Sequence, residues 1–339
     1  MKAVFVKQGG GVEVRDVDVP KIGDGEILVK MKACGIDGTD LEKAFGRPLT
    51  PPMLGHEVVG IVEESRTSEF EEGDRVFVHH HVFCGRCYYC LNDSLTMCPL
   101  FLKTTIDPCG FAEYFRVPRT NVERGAVLKL PPNLDWVEAS FIEPVACVLR
   151  ALKRTRFTAG RSVSMVGAGP TGSLFIQLLK LMGASFVAVA EISPFRLQKA
   201  KELGADATAN PLSEDFVDVC RCGTDGRGVD IGVLATPAVR PLQLVIDSVR
   251  RGGTICIFGA PEKGEKAELD FSRLFIEEKS IITSYSTTEI ETNAVLDLVK
   301  SGRTTFRKSV SHVYPLEDAS LAFETARDAS RSLKVVLTS

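Results

Sequence analysis

The segment from about residue 160 to residue 285 alternates short apolar runs with amphipathic stretches, and this alternation constrains the fold more than any other feature. Such a pattern is typical of parallel strands joined by crossover helices. The predicted elements are the strands 163–166, 186–190, 206–209, 231–235, 254–258 and 281–284 and the helices 171–182 and 194–203. We therefore predict an α/β fold class with a doubly wound, parallel, six-stranded sheet.

A glycine-rich turn joins the first of these strands to the first helix. Gly167, Gly169 and Gly172 have the spacing G-x-G-x-x-G, with Pro170 and Thr171 between the second and third glycines. Such glycines allow a tight turn and let a pyrophosphate approach the N-terminus of the following helix, where free N–H groups favour negative charge. We predict that these five residues bind a dinucleotide; the alternative is an ordinary strand-to-helix turn without a ligand.

An acidic residue at the end of the second strand indicates which dinucleotide binds. Glu191 lies 19 residues beyond Gly172, where a carboxylate can accept hydrogen bonds from the adenosine ribose and would repel a 2′-phosphate. Arg196 is close enough in sequence to temper this preference. We expect NAD as the cofactor, bound in part by Glu191 and Arg196, and NADP is the less favoured alternative.

The first 140 residues follow a different pattern. Apolar side chains alternate at Ile27, Val29, Met31 and Ala33, as in a half-buried strand. Turn signals recur at Gly23-Asp24-Gly25, Pro51-Pro52, Gly73-Asp74 and Pro131-Pro132. We predict small antiparallel strands in a barrel-like domain, and a last apolar strand at 334–338.

Four of the ten cysteines lie within fifteen residues. Cys84, Cys87, Cys90 and Cys98 are separated by two, two and seven residues. Four thiolates at such short spacings can close a tetrahedral shell around zinc with no open position, as in a structural site. The alternatives are two disulfides or four unrelated cysteines. Because the chain is long and we expect no secretion signal, metal ligation in a reducing cytoplasm is the better interpretation.

The composition excludes several classes of partner. With 25% charged residues and a formal net charge of -3, the chain lacks the basic excess of proteins that bind nucleic acid or anionic membranes. The longest apolar stretch, at 173–182, is interrupted by Gln177 and Lys180 and does not predict a membrane span. The apolar run before Lys7 is too short for a signal-peptide core.

Three further segments contain acidic residues and a histidine: Gly35-Ile36-Asp37-Gly38-Thr39-Asp40, Gly55-His56-Glu57 and Ile142-Glu143-Pro144. Together with the cysteine spacing and the glycine turn, they resemble the medium-chain dehydrogenase/reductase superfamily, above all its polyol, threonine and glucose dehydrogenase branches. The resemblance covers essentially the whole chain. It implies a GroES-like catalytic domain at 1–146 with a structural zinc lobe at 84–98, a Rossmann NAD-binding domain at 147–285, and a return to the catalytic domain at 286–339.

The resemblance also implies a catalytic zinc site with one unusual ligand. Asp37, and not Cys34, stands where the family has its first zinc-binding cysteine, and some glucose dehydrogenases of the superfamily are similar in this respect. His56 would be the second ligand. Glu57 and Glu143 match positions that bind zinc directly or hold its bound water, and both roles stay open for each. Because a carboxylate is a harder ligand than a thiolate, we expect a more exchangeable metal.

The same resemblance divides the reaction among named residues. Zinc would polarise the substrate oxygen, Thr39 would take the substrate proton, and a hydride would pass to the nicotinamide. Glu42 stands where the family usually has a relay histidine, and we count Glu57 with Thr39 and Glu42 among the catalytic residues. Lys334 matches a basic residue that contacts the pyrophosphate.

These features favour a zinc-dependent dehydrogenase, with two zinc ions per chain, that oxidises a secondary alcohol such as a polyol or cyclitol. An aldose dehydrogenase acting at the anomeric carbon is one alternative, favoured by Asp37 and Glu42. A metal-less binding or quinone-reductase-like protein of the same fold is another. We interpret His79–His81 as strand residues leading into the cysteine lobe and not as ligands. By resemblance, the chain forms a homodimer or homotetramer.

Overall fold

A computed structural model describes residues 1–46 and 54–339 of the chain. The turn predicted at Pro51-Pro52 lies outside the described residues. By their contacts, the residues divide into two compact units. The first comprises Met1–Ala146, Ser286–Asp328 and Lys334–Ser339, and the second comprises Cys147–Tyr285 and Ala329–Leu333.

In chain order, the helices and strands begin with β1 (Lys2–Val6), β2 (Val12–Asp16), β3 (Ile27–Ile36), α1 (Gly38–Phe45), β4 (Glu57–Ser65), β5 (Arg75–Val78), α2 (Tyr88–Leu91), β6 (Tyr114–Val117), α3 (Arg119–Glu123), β7 (Val127–Lys129), α4 (Trp136–Ala139) and α5 (Ile142–Arg154). Next come β8 (Ser162–Val166), α6 (Pro170–Leu181), β9 (Phe186–Ala190), α7 (Pro194–Glu202), β10 (Ala207–Ala209), α8 (Phe216–Cys222), β11 (Val229–Leu234), α9 (Leu242–Ser248), β12 (Val249–Ile257), α10 (Phe271–Ile276) and β13 (Ser280–Thr283). The last are α11 (Glu289–Lys300), β14 (Val310–Pro315), α12 (Ala319–Arg327) and β15 (Lys334–Thr338). Within the described part of the chain, no helix has both the length and the apolar character that a membrane crossing requires.

The second unit is built around a parallel sheet with the strand order β10-β9-β8-β11-β12-β13. All residues of β8 are buried, as expected where helices cover both faces of a parallel sheet. The sheet confirms the predicted doubly wound, six-stranded architecture.

Strand β12 departs most from the sequence prediction in this unit. It begins at Val249, whereas the predicted strand began at Thr254. Between these positions lie two arginines and two glycines, so the apolar pattern becomes visible only from Thr254. The pairing of β12 with β11 is irregular between Val229 and Ile231.

The first unit is mostly β, as predicted. Its described strands form a two-stranded sheet, β1-β2, and a larger sheet in the order β14-β15-β3-β4-β5-β7, with β6 paired to β3. The alternating side chains predicted in β3 are all 0% exposed. Gly35 near the end of β3 pairs with Glu57, the first residue of β4, and with Val336 of β15. The sheet therefore brings the end of β3 and the starts of β4 and β15 to one place.

The C-terminal segment differs in one respect from the predicted return at 286–339. Ala329–Leu333 groups with the second unit. Two hydrogen bonds explain this, because Ser193 Oγ donates to the carbonyl of Ala329 (2.6 Å) and Arg196 Nε donates to the carbonyl of Ser332 (3.2 Å).

Candidate metal centre, cysteine lobe and dinucleotide turn

The first predicted ligand, Asp37, is held by the start of helix α1. Its Oδ1 accepts a hydrogen bond from the backbone N–H of Asp40 (2.9 Å), and Asp40 Oδ2 accepts one from the backbone N–H of Asp37 (3.1 Å). This reciprocal capping box fixes the Asp37 side chain while using only one of its oxygens. The other oxygen, Oδ2, lies 3.3 Å from Nε2 of His56.

His56 follows a turn at which glycine is required. Gly55 has a φ of 76°, and a Cβ at this position would lie 2.8 Å from atoms of Phe111. The N–H of Gly55 donates to Oδ1 of Asp40 (2.8 Å), whose carboxylate is fully buried. Asp40 therefore ties the start of α1 to the turn before His56. We predicted no role for Asp40 from the sequence, although an aspartate three residues after Asp37 is a visible capping signal.

Strand pairing brings Glu57 to the same place. The ligand atoms of Asp37, His56 and Glu57 all lie within 4.8 Å of one another. One imidazole nitrogen and two carboxylate oxygens form a donor set that suits zinc, and three protein ligands are usual in catalytic zinc sites that keep an open position. These residues therefore fit the predicted metal. Glu143 is buried in the first turn of α5 but does not belong to this group of three.

A buried ion pair stands beside this group. The ammonium of Lys334 contacts Oε2 of Glu57, and the two side chains are 2% and 1% exposed. Gly35 makes room for the pair, because a Cβ there would overlap Glu57 Oε2 and lie 2.7 Å from Cε of Lys334. The ammonium of Lys334 is therefore enclosed beside Glu57. Its expected contact with the pyrophosphate stays a prediction.

The buried charges shift one another's ionisation. Burial disfavours ionised Asp37, but the charge and hydrogen bond of His56 outweigh burial and hold the pKa of Asp37 well below its usual range. Burial also disfavours protonated His56, yet Asp37 and Glu143 raise the pKa of His56 well above its ordinary value. Burial raises the pKa of Glu57 to about 7, against the opposing charge of Lys334. The excess of carboxylates favours a cation where Asp37, His56 and Glu57 meet.

The two residues predicted to move the substrate proton lie on helix α1. Thr39 and Glu42 are half-buried and stand three positions apart, so they share one face of the helix. Asp37 caps the same helix. One rigid element therefore holds a candidate metal ligand and both candidate proton-transfer residues, whose roles stay predictions.

The histidine tract follows β5 and does not lie within a strand. The ring centroid of His80 is 5.1 Å from that of His56, and Nδ1 of His79 is 3.5 Å from Oε1 of Glu289. Nδ1 of His81 is 2.8 Å from the carbonyl oxygen of Thr104. Among the described residues, the tract belongs to neither group with metal-ligand spacing. It does place an imidazole next to the candidate ligand His56, a position the sequence did not reveal.

The four cysteines of residues 84–98 form a second group with metal-ligand spacing. Their sulfur atoms all lie within 4.8 Å of one another, and Cys90 Sγ is 3.5 Å from Cys87 Sγ and 3.9 Å from Cys84 Sγ. A tetrahedral site with Zn–S bonds of about 2.3 Å has sulfur–sulfur edges of roughly 3.8 Å. None of the four forms a disulfide. A hydrogen bond from the backbone N–H of Arg86, with others, lowers the pKa of Cys84 to about 6 and favours the thiolate that a metal needs.

The glycine turn has the geometry that its motif predicts. Gly167 has a φ of 104°, and a Cβ on Gly172 would overlap the carbonyl oxygen of Gly167. Helix α6 begins at Pro170, with Gly169 as its N-cap and Thr171 as its second residue. The free N–H groups at this helix start can receive a pyrophosphate.

Glu191 lies directly behind the turn. Its carboxylate, in a residue 9% exposed, accepts hydrogen bonds of 2.8 to 2.9 Å from the backbone N–H groups of Ala168, Ile192 and Ser193. Nη1 of Arg196 would lie 3.5 Å from a Cβ on Gly169. The turn therefore has a carboxylate and a guanidinium close to it, and the roles of Glu191 and Arg196 in binding the adenosine ribose stay predictions.

Comparison with known proteins adds to this geometry. Residues 23–131 match the family described as alcohol dehydrogenase GroES-like domain, and residues 170–301 match the family described as zinc-binding dehydrogenase. The chain is 35% identical to L-threonine 3-dehydrogenase of Pyrococcus horikoshii, over 97% of this chain and 96% of that protein. It is 32% identical to sorbitol dehydrogenase of Bacillus subtilis, over 78% and 76%. A zinc-binding dehydrogenase of Sinorhizobium meliloti, solved bound to NADP, matches with a TM-score of 0.88 at 31% identity and covers 100% of this chain and 99% of that one.

Proposed function

The chain belongs to the zinc-dependent medium-chain dehydrogenase/reductase superfamily and is an enzyme of its alcohol dehydrogenase type, and we propose that it oxidises a secondary alcohol to a ketone with NAD. One observation carries the proposal: the ligand atoms of Asp37, His56 and Glu57 lie within 4.8 Å of one another. We further propose that Glu143 serves as an additional ligand or holds the bound water. A protein without a catalytic metal would not need these three potential ligands so close together.

The proposed mechanism gives each residue one task. Zinc, when bound by Asp37, His56 and Glu57, supplies a Lewis acid that polarises the substrate oxygen and eases loss of its proton. Oγ1 of Thr39 accepts that proton, and the carboxylate of Glu42 carries it outward. NAD, when bound at the glycine turn, would supply the acceptor for the hydride that leaves the substrate carbon. Lys334 holds Glu57 in place through the buried ion pair.

For the substrate we propose a polyol, a cyclitol or a related sugar alcohol. The relatives named for L-threonine and sorbitol support a small polar secondary alcohol. Asp37 and Glu42 favour the second candidate, an aldose dehydrogenase acting at the anomeric carbon. NAD reduction measured with sorbitol, a cyclitol, threonine and glucose distinguishes these candidates. A highest kcat/KM on glucose would overturn the ketone-forming proposal.

For the cofactor we propose NAD over NADP. The support is Glu191, whose negative charge lies behind the glycine turn and would repel a 2′-phosphate. Arg196 and the NADP-bound relative weigh in the other direction. Steady-state kinetics with both cofactors test the preference. A lower KM for NADP than for NAD would overturn it.

We propose two zinc ions per chain, one at the centre and one in the cysteine lobe, in an enzyme that works in the reducing cytoplasm. Elemental analysis before and after mild chelation tests the count. Two zinc ions, one of them removed together with turnover, are expected. One retained zinc in a protein without turnover would leave only the lobe as a metal site.

We also propose that the enzyme is a homodimer or homotetramer. Phe271, Phe275 and Ile276 of helix α10 are 74%, 85% and 76% exposed, and the strand that follows, β13, is at the edge of its sheet. An apolar face beside an open strand edge favours association. Light scattering coupled to gel filtration measures the mass, and a monomer at micromolar concentration would contradict the proposal.

A further inference from the structure

The second unit contains a cavity of about 530 Å³ away from the glycine turn. Its lining includes Arg161 beside β8, Arg227 and Asp230 at β11, and Arg250 at β12. These three strands are parallel neighbours in the sheet, so their N-terminal ends lie side by side. The glycine turn follows the carboxyl end of β8. The cavity therefore lies at the N-terminal ends of the strands, and the predicted dinucleotide site lies at their C-terminal ends.

A single carboxylate organises this cavity. Asp230 accepts hydrogen bonds from the N–H and Oγ of Ser162 (2.9 Å each), from Nη1 of Arg161 (2.9 Å) and from Nε of Arg250 (2.8 Å). A carboxylate offers about four acceptor positions, so these four bonds use its capacity. Asp230 therefore fixes two guanidinium groups, one from each neighbouring strand, and has no acceptor left for a third.

The three arginines have more donors than this carboxylate can accept. Within residues 1–46 and 54–339, the Arg250 guanidinium donates, besides its bond to Asp230, only to the carbonyl of Arg251 (2.7 Å). Arg227 is 66% exposed, and its nearest carboxylate oxygen, on Asp225, is 3.6 Å away, too far for a hydrogen bond. Among the described residues, the structure gives the other guanidinium N–H groups of Arg161, Arg227 and Arg250 no acceptor. The lining thus combines three positive charges with one negative charge.

We propose that this cavity is a second anion site, which binds a small molecule with a phosphate or pyrophosphate group. Guanidinium groups bind phosphate oxygens through paired, charge-assisted hydrogen bonds. The volume falls within the range of roughly 300 to 1,000 Å³ typical of small-molecule sites. Asp230 orients Arg161 and Arg250 in advance, and the more exposed Arg227 completes the site when the anion arrives. The site is separate from the proposed hydride transfer and does not depend on it.

Calorimetric titration with inorganic pyrophosphate tests the site. The protein is first saturated with NAD, so that the glycine turn is occupied. We expect one pyrophosphate per chain, and we expect Arg227→Gln and Arg161→Gln each to weaken binding by about tenfold, as loss of a charged hydrogen-bond donor typically does. Arg303→Gln, which removes an exposed arginine from the first unit, is the matched control and should leave the affinity unchanged.

Three results would overturn the proposal. One is the absence of binding at millimolar pyrophosphate in the NAD-saturated protein. Another is binding seen only without NAD, which would assign the anion to the glycine turn. The third is equal weakening by Arg227→Gln and Arg303→Gln, which would indicate nonspecific attraction. Because the Arg227 side chain makes no hydrogen bond within the described residues, its variant should keep the wild-type unfolding midpoint.

Discussion

The cysteine lobe and the candidate catalytic centre both gather potential metal ligands, but the chain assembles them differently. The lobe takes four thiols from fifteen consecutive residues, and its Tyr88 and Leu91 are 76% and 74% exposed. The centre takes Asp37, His56 and Glu57 from the ends of paired strands, inside a buried network of charges. We expect the lobe, which has little core, to depend on its proposed metal for folding, and we expect the sheet to hold the residues of the centre together without metal.

This difference separates two roles for metal in one chain. Four thiolates would close the coordination shell of a zinc and leave no position for a substrate, so we expect the proposed lobe metal to contribute stability. Three ligands that include two carboxylates would leave a position open, so we expect the proposed metal of the centre to contribute chemistry. We therefore expect each metal to be removable without loss of the other.

Replacement of the candidate ligand His56 should give the largest effect. We expect His56→Ala to lower kcat by about a thousandfold or more, because losing a metal ligand removes electrostatic stabilisation of several kcal/mol. Zinc, measured by elemental analysis, should fall from two ions to one. The matched control is His312→Ala, whose imidazole contacts Ser311 and stacks on Tyr314. A His56→Ala protein that keeps both zinc ions and its turnover would remove His56 from the centre.

Replacement of a lobe cysteine should mainly affect stability and the zinc of the lobe. Cys87→Ser is expected to remove the second zinc and to lower the free energy of unfolding by roughly 3 kcal/mol or more, while zinc at the centre stays bound. Denaturant unfolding and elemental analysis measure the two effects. Cys222→Ser, at an exposed cysteine outside the lobe, should change neither quantity. Unchanged stability in Cys87→Ser would show that the lobe folds without metal.

A smaller change tests whether the sheet itself maintains the centre. We expect Gly35→Ala to cost about 1 to 3 kcal/mol and to lower turnover, because the new Cβ would overlap Glu57 and press on Lys334. Gly38→Ala is the matched control, since a Cβ there meets nothing within 4 Å. If both variants unfold at the same denaturant concentration, the buried ion pair does not constrain the centre.

The substitution with the smallest expected effect introduces a cysteine, the ligand type of the lobe, into the centre. Asp37→Cys should slow zinc loss to a chelator by about tenfold, because a thiolate is a softer ligand. It should also cost about 1 kcal/mol of stability through the lost helix cap. Asp37→Asn keeps a capping oxygen but loses the charge, so it should release zinc faster than the wild type. Equal rates of zinc loss in Asp37→Cys and the wild type would argue against Asp37 as a ligand.

Sequence patterns predicted the elements that depend on residues close together in the chain. The strands Phe186–Ala190 and Lys334–Thr338 agree with their predicted bounds at both ends, because buried parallel strands and a buried C-terminal strand appear as apolar runs. The cysteine group is local in the same sense. By contrast, pairing between β3 and β4 brings residues 37, 56 and 57 together, and only the family resemblance indicated them. The ion pair between Lys334 and Glu57 was not predicted, because it depends on the pairing of β3 with both β15 and β4.

The carboxylate at position 37 also determines where an oxidant does damage. The three residues gathered at the centre contain no sulfur, and burial, with Asp40 and Glu57, raises the pKa of the nearby Cys34 thiol well above its ordinary value. Peroxides attack accessible thiols first, and Cys84, Cys87 and Cys90 of the lobe are only half-buried, whereas Cys34 is buried. Oxidative inactivation of this enzyme should therefore begin with sulfur chemistry in the lobe and loss of fold, while the groups that act on the substrate remain chemically intact.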